Sequence, residues 1–234
     1  MKIERQGNDS WRTIIRSIEI LTPVYDFGSD IVGLFSPKLL RYIVSRLYVP
    51  SKIALEVGIG TGLLSKKILD RSNAYLVGVD VSRVLAYISK SRLRSWGERV
   101  DIIISQAEKL PFRNKVMESV YMTFTYRDVI NHLNTALEIS RILNLNGVWI
   151  IADVGKPTNK VSRLLLSFIL KYIARILGRL IYPSLRVNPW KALYLTYKRI
   201  YPNDVLRKLL TEIFSNVRII SLLGGMLYIA ICRK

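Results

Sequence analysis

The sequence predicts a doubly wound α/β fold: a mostly parallel, seven-stranded sheet with helices on both faces and an antiparallel last strand. Three observations predict it. A short apolar run from Ile53 to Val57 leads into a glycine-dense turn, G-I-G-T-G, and then into a helix-like pattern from Leu63 to Asp70. A second apolar run, Ala74 to Val79, closes on Asp80, at the distance where an acid reaches a ribose diol in nucleotide-binding sheets. Strand and helix patterns keep alternating as far as Asp153.

Each element has its own signals. Met1 to Arg12 reads as a loose lead, and Thr13 to Leu21 and Pro37 to Leu47 as helices flanking a turn-rich segment, T-P-V-Y-D-F-G-S-D. Ser82 is placed to cap a helix reaching Trp96, with Gly97 as its stop. Val100 to Ser105 is a third strand, and Lys115 to Thr123 contains a fourth. Val129 to Leu143 is a long helix, and Gly147 to Asp153 a fifth strand. Pro202 to Phe214 is helical, Val217 to Leu222 extended, and Met226 to Arg233 a last strand expected antiparallel at the sheet edge.

A chain of 234 residues suffices for one domain with a sizeable core. We divide it into a helical N-terminal segment, 1–50, and a main domain, 51–234, that carries a basic helical insertion over 158–200. One cysteine and one histidine exclude an intramolecular disulfide and a zinc-type centre, so no metal is expected. The polar N-terminus lacks a secretory apolar region, which makes the cytoplasm the expected location.

The formal net charge of +19 implies an anionic partner or a heavily solvated surface. Between Val154 and Asn203 there is no Asp or Glu. Val161 to Tyr182 is apolar enough to raise a membrane span, but Lys171 and Arg175 interrupt it. At helical spacing Lys160, Arg163, Ser167, Lys171, Arg175 and Arg179 share one face and the remainder is apolar, the pattern of a helix in a bilayer interface. Two placements stay open and are compatible: a lid packed on the domain, and a lid that also touches an anionic membrane. Nucleic acid is the weaker partner, because the basic stretch is interleaved with Leu and Ile rather than stacking aromatics.

The glycine spacing identifies the cofactor class. Gly58 and Gly60 fit a dinucleotide fingerprint, but its sixth position is Leu63. Glu56-x-Gly58-x-Gly60-x-Gly62 instead resembles motif I of Rossmann-like, class I methyltransferases that use S-adenosyl-L-methionine (SAM). Gln106-Ala107-Glu108-Lys109-Leu110-Pro111-Phe112 is similar to the A-E-x-L-P-F segment after their third strand. Thr123-Phe124-Thr125-Tyr126-Arg127-Asp128-Val129 resembles the S-F-G-L-R-N-V run of the ubiquinone/menaquinone biosynthesis C-methyltransferases. Arg141 to Gly147 falls on that family's R-V-L-K-P-G-G without a gap. Ala152 to Pro157 falls on L-E-F-S-K-P, Arg199 to Pro202 on R-x-F-P, Leu223-Gly224-Gly225 on T-G-G, and Tyr25-Asp26 on an N-terminal Y-D.

The resemblance implies a SAM-dependent methyltransferase that methylates a ring carbon of a prenylated hydroquinone by in-line transfer once a phenolic proton has left. It places the cofactor against Glu56, Gly58, Gly60, Thr61, Gly62, Asp80, Val81, Gln106, Ala107 and Thr123. Arg127, Asp128 and Asp153 become candidate catalytic residues, and Tyr25, Tyr194 and Tyr197 candidates for the mouth of a lipophilic, quinol-like acceptor site. His132 is expected to be a solvated or capping residue rather than a catalytic one. Departures occur at Thr125 and Asp128, where the family has Gly and Asn, and at Asn144-Leu145-Asn146, where Asn146 is expected to keep a left-handed cap. They leave open another lipid or small phenolic acceptor, an RNA-directed methyltransferase or basic nucleic-acid-binding protein, and a SAM binder without catalysis.

Overall fold

The structure is a computed structural model and describes residues 15–16, 19–20, 25–33, 36–47, 49–181 and 191–234; of Tyr25 and Lys191 it describes the backbone alone. The expected lead over Met1 to Arg12 therefore lies outside the described residues, as does Tyr182.

Seven strands form one sheet: β1 (Ile53–Val57), β2 (Tyr75–Asp80), β3 (Val100–Ile104), β4 (Met117–Thr123), β5 (Leu143–Val154), β6 (Asn216–Leu222) and β7 (Leu227–Arg233). Their order is β3-β2-β1-β4-β5-β7-β6. β1 to β5 run parallel, whereas β7 pairs antiparallel with β5 (Trp149 opposite Cys232) and with β6 (Ile219 opposite Ala230). The last strand is thus antiparallel, but it lies between β5 and β6 and not at the edge. A short turn, Leu223–Gly225 with Gly224 at φ 64°, folds β7 back inside β6.

Side-chain alternation sorts the core onto two faces. Leu55, Val57, Val120, Met122, Trp149 and Ile151 face one way, against α5 (His132–Ile142) and α9 (Asn203–Ile213). Ala54, Leu76, Tyr121, Ile150 and Ala152 face the other way, against Leu40 and Val44 of α2 (Ser36–Arg46) and Leu64 and Ile68 of α3 (Leu63–Leu69). α4 (Arg83–Arg92) starts at Ser82, whose hydroxyl accepts from Leu85 N–H at 3.3 Å, as expected of the cap.

Several boundaries moved. α4 ends at Arg92 and a 3-10 turn (Arg94–Arg99) covers Trp96 and Gly97. α5 begins only at His132, because Asn131 supplies the cap that accepts from Asn134 N–H at 3.0 Å. α5 then ends on Leu143, which is already extended, so Asn146 lies inside β5 and forms no left-handed cap. The described part of the turn-rich segment is helix: α1 spans Tyr25–Val32 despite its Gly and Ser. Packing of Val32 beside Ala174, Leu177 and Ile181 overrides the weak local propensity.

The insertion is a helical stack: α6 (Lys160–Phe168), a π turn (Ile169–Ile173), α7 (Ala174–Ile181) and then α8 (Lys191–Arg199). No helix of the described residues is long and apolar enough to cross a membrane.

Candidate active site

Strand order reverses between β1 and β4, and ligands of open α/β sheets bind at such switch points, beyond the carboxyl ends of the strands. A cavity of about 110 Å³ opens there, walled by β1, β2 and the loops after β3 and β4. The β1–α3 loop builds its floor. Gly58 (φ 71°) and Gly60 (φ 56°) lie in the left-handed region, and a Cβ on Gly60 would meet nothing within 4 Å. The backbone there stands open to the cavity, free for close approach by a ligand. Gly62, which the sequence placed with the cofactor, is not on the cavity wall: it faces Ser89 and Leu93 of the α4 region.

Asp80 ends β2 at the cavity wall, only 7% exposed. Its Oδ2 accepts from Gly60 N–H at 2.8 Å and its Oδ1 from Ser82 N–H at 2.9 Å. A carboxylate has about four acceptor positions, so capacity for a hydroxyl donor is left. Burial raises its pKa, and the backbone donors work in the other direction. Val81, Gln106, Ala107 and Thr123 line the same space, the middle two just after β3.

Glu56 also lines the cavity and is 2% exposed, hydrogen-bonded by the Ser65 hydroxyl. Burial pushes its pKa up to about 8, so the carboxyl is largely protonated at neutral pH. Thr61 is on the wall, but its hydroxyl donates to Asp26 Oδ1 at 2.6 Å. Arg92 completes a clamp, pairing with Asp26 Oδ2 at 2.7 Å and donating to the Thr61 carbonyl at 2.9 Å. The loop is thereby tied to α1.

The three candidate catalytic residues are together but not equivalent. Asp128 ends the short turn after β4 (Tyr126–Asp128) and lines the cavity. Burial pushes its pKa up to about 6, against the pull of Arg127 and Arg199. Asp153 is fully buried and absent from the cavity wall. Its carboxylate accepts from Arg127 N–H at 3.0 Å, Arg127 Nη1 at 3.3 Å and Val154 N–H at 2.7 Å, which makes it an anchor for Arg127. Arg127 bridges the acids, with Nε 3.5 Å from Asp128 Oδ2. Its guanidinium lies 5.2 Å from the ring centre of Phe124, which does line the cavity.

Tyr194 and Tyr197 are placed elsewhere. Tyr197 packs among Leu166, Leu170 and Ile200, with Tyr194 stacked on it, and neither borders the cavity. The side chain of Tyr25 lies outside the described residues. His132 is buried, edge-on to Tyr126, and its imidazole is pushed down to about 4 by burial and Arg199. The expectation of a solvated histidine is corrected, since a closed aromatic cluster excludes water from it.

Sequence reasoning missed Arg41, which lines the cavity from α2 and pairs with Asp30 at 3.0 Å. It also missed Arg199, whose Nη2 donates to the carbonyls of Val129 and Ile130 at 3.3 Å. Arg41 had no local signal, because its role depends on a helix folding across the sheet. Among the described residues, no cluster of His, Cys, Asp and Glu could hold a metal.

Residues 55–151 match the family model described as a methyltransferase domain. The chain is 28% identical over 217 residues to the demethylmenaquinone methyltransferase of Staphylococcus aureus, covering 90% of this chain and 88% of that one. It is 26% identical over 220 residues to the ubiquinone/menaquinone biosynthesis C-methyltransferase of Wigglesworthia glossinidia brevipalpis, covering 90% and 86%. A SAM-dependent methyltransferase structure from Thermotoga maritima superimposes with a TM-score of 0.64 at 18% identity, covering 94% of this chain and 99% of that one. The one from Aquifex aeolicus gives 0.56 at 15%, covering 88% and 92%. The chain is a class I SAM-dependent methyltransferase, with the seven-stranded Rossmann-like sheet of that class. Its cofactor is SAM, and the open glycine backbone and the Asp80 carboxylate at the cavity wall suit a nucleoside carrying a diol.

Proposed function

We propose that the protein methylates a ring carbon of a prenylated hydroquinone precursor of a respiratory quinone. The observation that carries this reading is the likeness, along 90% of the chain, to relatives named for demethylmenaquinone methylation and quinone C-methylation.

SAM supplies a methyl group already activated by its sulfonium. We assign Asp80 to the ribose hydroxyls, Gln106 and Ala107 to the adenine, Thr123 and the Gly58–Gly60 backbone to the remainder, and Arg41 to the methionine carboxylate. Asp128 is the base, as the one candidate acid on the cavity wall. A phenol titrates near 10, so transfer to a carboxylate of pKa about 6 is uphill by about four units, roughly 5.5 kcal/mol. Proton removal must therefore be helped, and a neighbouring guanidinium does that by favouring phenolate. Arg127, held by Asp153 and set behind Asp128 rather than on the cavity wall, is that cation. The ring carbon takes the methyl as the methyl–sulfonium bond breaks, then sheds its own hydrogen as a proton while the phenolic oxygen is reprotonated, so the work of the chain is alignment, exclusion of water and these proton movements.

An acceptor of this kind lives in a bilayer, which places the protein at the cytoplasmic face of a membrane. A second reading, another lipid or a small phenolic acceptor, is favoured by Thr125, which lines the cavity where the resembled family has glycine. Incubation with isotopically labelled SAM, vesicles and demethylated quinol separates the two. Label in the quinol supports the proposal; label that enters other phenols but no quinol rejects it.

A further inference from the structure

The insertion was expected as a lid, packed on the domain or also touching a membrane, and the structure shows two apolar sides. Leu166, Leu170 and Ala174 are buried against the domain. On the outside, Val161, Leu165, Phe168, Tyr172, Ile176 and Leu180 are 45 to 74% exposed. Isolated exposed apolar residues are ordinary, but a continuous row is not, and on a monomer it marks an interaction surface.

The row is straight for a structural reason. From Phe168 to Leu180 its members are four residues apart, and in an α-helix each such step overshoots a full turn by about 40°. Three steps would rotate the row by about 120°, into the flank of the helix. The π turn over Ile169–Ile173 takes an extra residue into its wider turn and removes most of that drift. The result is one ridge about 30 Å long.

Cations border this ridge. Lys160, Lys171, Arg175 and Arg179 follow each other along one flank of the same stack, between the outer row and the buried face. Lys171 lies 5.0 Å from the ring centre of Tyr172. No acid occurs in the sequence from Gly155 to Pro202. An apolar row beside cations, with Tyr and Phe among the row, complements a surface that is apolar below and anionic at headgroup level.

We propose that this ridge is the docking surface of the enzyme for an anionic lipid bilayer, with α6, the π turn and α7 lying in the plane of the interface. Val161, Phe168, Ile176 and Leu180 enter the acyl boundary, while the lysines and arginines reach headgroup phosphates. The occupant is a lipid surface and not a second copy of the chain, because two such cationic flanks would repel each other. The proposal deepens the reading of a membrane-resident acceptor but needs no acceptor to be tested.

The experiment is flotation of the full chain with phosphatidylcholine vesicles and with vesicles containing phosphatidylglycerol. Binding is expected to the anionic vesicles, weakening about fivefold for each flanking cation neutralised, as in Lys171→Gln. The double variant Phe168→Glu, Ile176→Glu is expected to lose at least tenfold in binding, with its SAM affinity and melting temperature unchanged. Wild type that ignores anionic vesicles, or a double variant that binds them as wild type does, overturns the proposal. So does a self-association, seen by sedimentation, that the same variant abolishes while vesicle binding is absent. Failure of quinol methylation with vesicle binding intact would reject the acceptor and leave the ridge standing.

Discussion

Gly58 offers the sharpest structural test of the cofactor loop. At φ 71° it occupies the left-handed region, and a Cβ placed on it would lie 2.2 Å from Thr125 Cγ2 and 2.3 Å from Thr125 Oγ1. Gly58→Ala therefore meets two separable penalties. The backbone conformation costs about 1–2 kcal/mol for a residue with a side chain. The collision with Thr125 costs about 1–3 kcal/mol more, as overpacking does elsewhere. Thr125→Gly removes the collision but not the backbone penalty, and it loses the Thr125 hydroxyl beside the Gly58 and Thr123 carbonyls, at 3.3 and 3.2 Å. Urea unfolding of the wild type, both single variants and the double variant closes a cycle. Gly58→Ala should lose about 2–5 kcal/mol, and the double variant should be more stable than the sum of the singles by about 1–3 kcal/mol. SAM affinity by calorimetry should recover in parallel. Additivity within about 0.5 kcal/mol would show that the two residues do not touch, and the description of the loop would be wrong.

Three further outcomes follow from the site. Asp128 must be deprotonated to act as the base, so kcat/KM should rise tenfold per pH unit below about 6 and flatten above it. Asp128→Asn should lower the rate about 10²–10⁴-fold and abolish that limb, and a variant that keeps the limb would move the base elsewhere. Glu56, whose carboxyl is raised from 4.5 to about 8, binds a proton in the folded chain that the unfolded chain has released, so stability falls between those two values and levels off above 8. Glu56→Gln should flatten the dependence of melting temperature on pH across that window; an unaltered slope would mean another group causes it. Asp26→Asn removes the anion that Arg92 and Thr61 share, and SAM binding should weaken about fivefold, near 1 kcal/mol, with unchanged calorimetric affinity counting against the clamp.

Much of this was legible in the residues, and the remainder was hidden for identifiable reasons. The β1 and β2 boundaries, the Ser82 cap and the position of Asp80 at a strand end come from local periodicity and capping, which act within a few residues. α1 was misread because its stability resides in α7, some 150 residues away in the chain, and no local signal reports that. The place of β7 between β5 and β6 depends likewise on strand pairing, which hydropathy does not encode. Within the site, its place at a strand end pointed to Asp80, and the family resemblance to Gln106 and Asp128, as residues that line the cavity. They could not tell that Asp153 turns away to hold Arg127, that Gly62 serves helix packing, or that Tyr197 fills the gap beside Leu166. Whether the apolar side of the insertion meets the domain or a membrane stayed open in the sequence, since an apolar row reads the same in both settings, and only the structure shows that it has a buried and an outward row.

The central claim is that this cavity joins an activated methyl group to a quinol ring carbon. The direct measurement is tandem mass spectrometry of the quinol recovered from anionic vesicles after incubation with the enzyme and SAM carrying a deuterated methyl group. A labelled methyl that stays with the ring when the phenolic oxygens are fragmented away is the expected result, and it should disappear with Asp128→Asn. Label on an oxygen, or label in no quinol at all, would contradict the account.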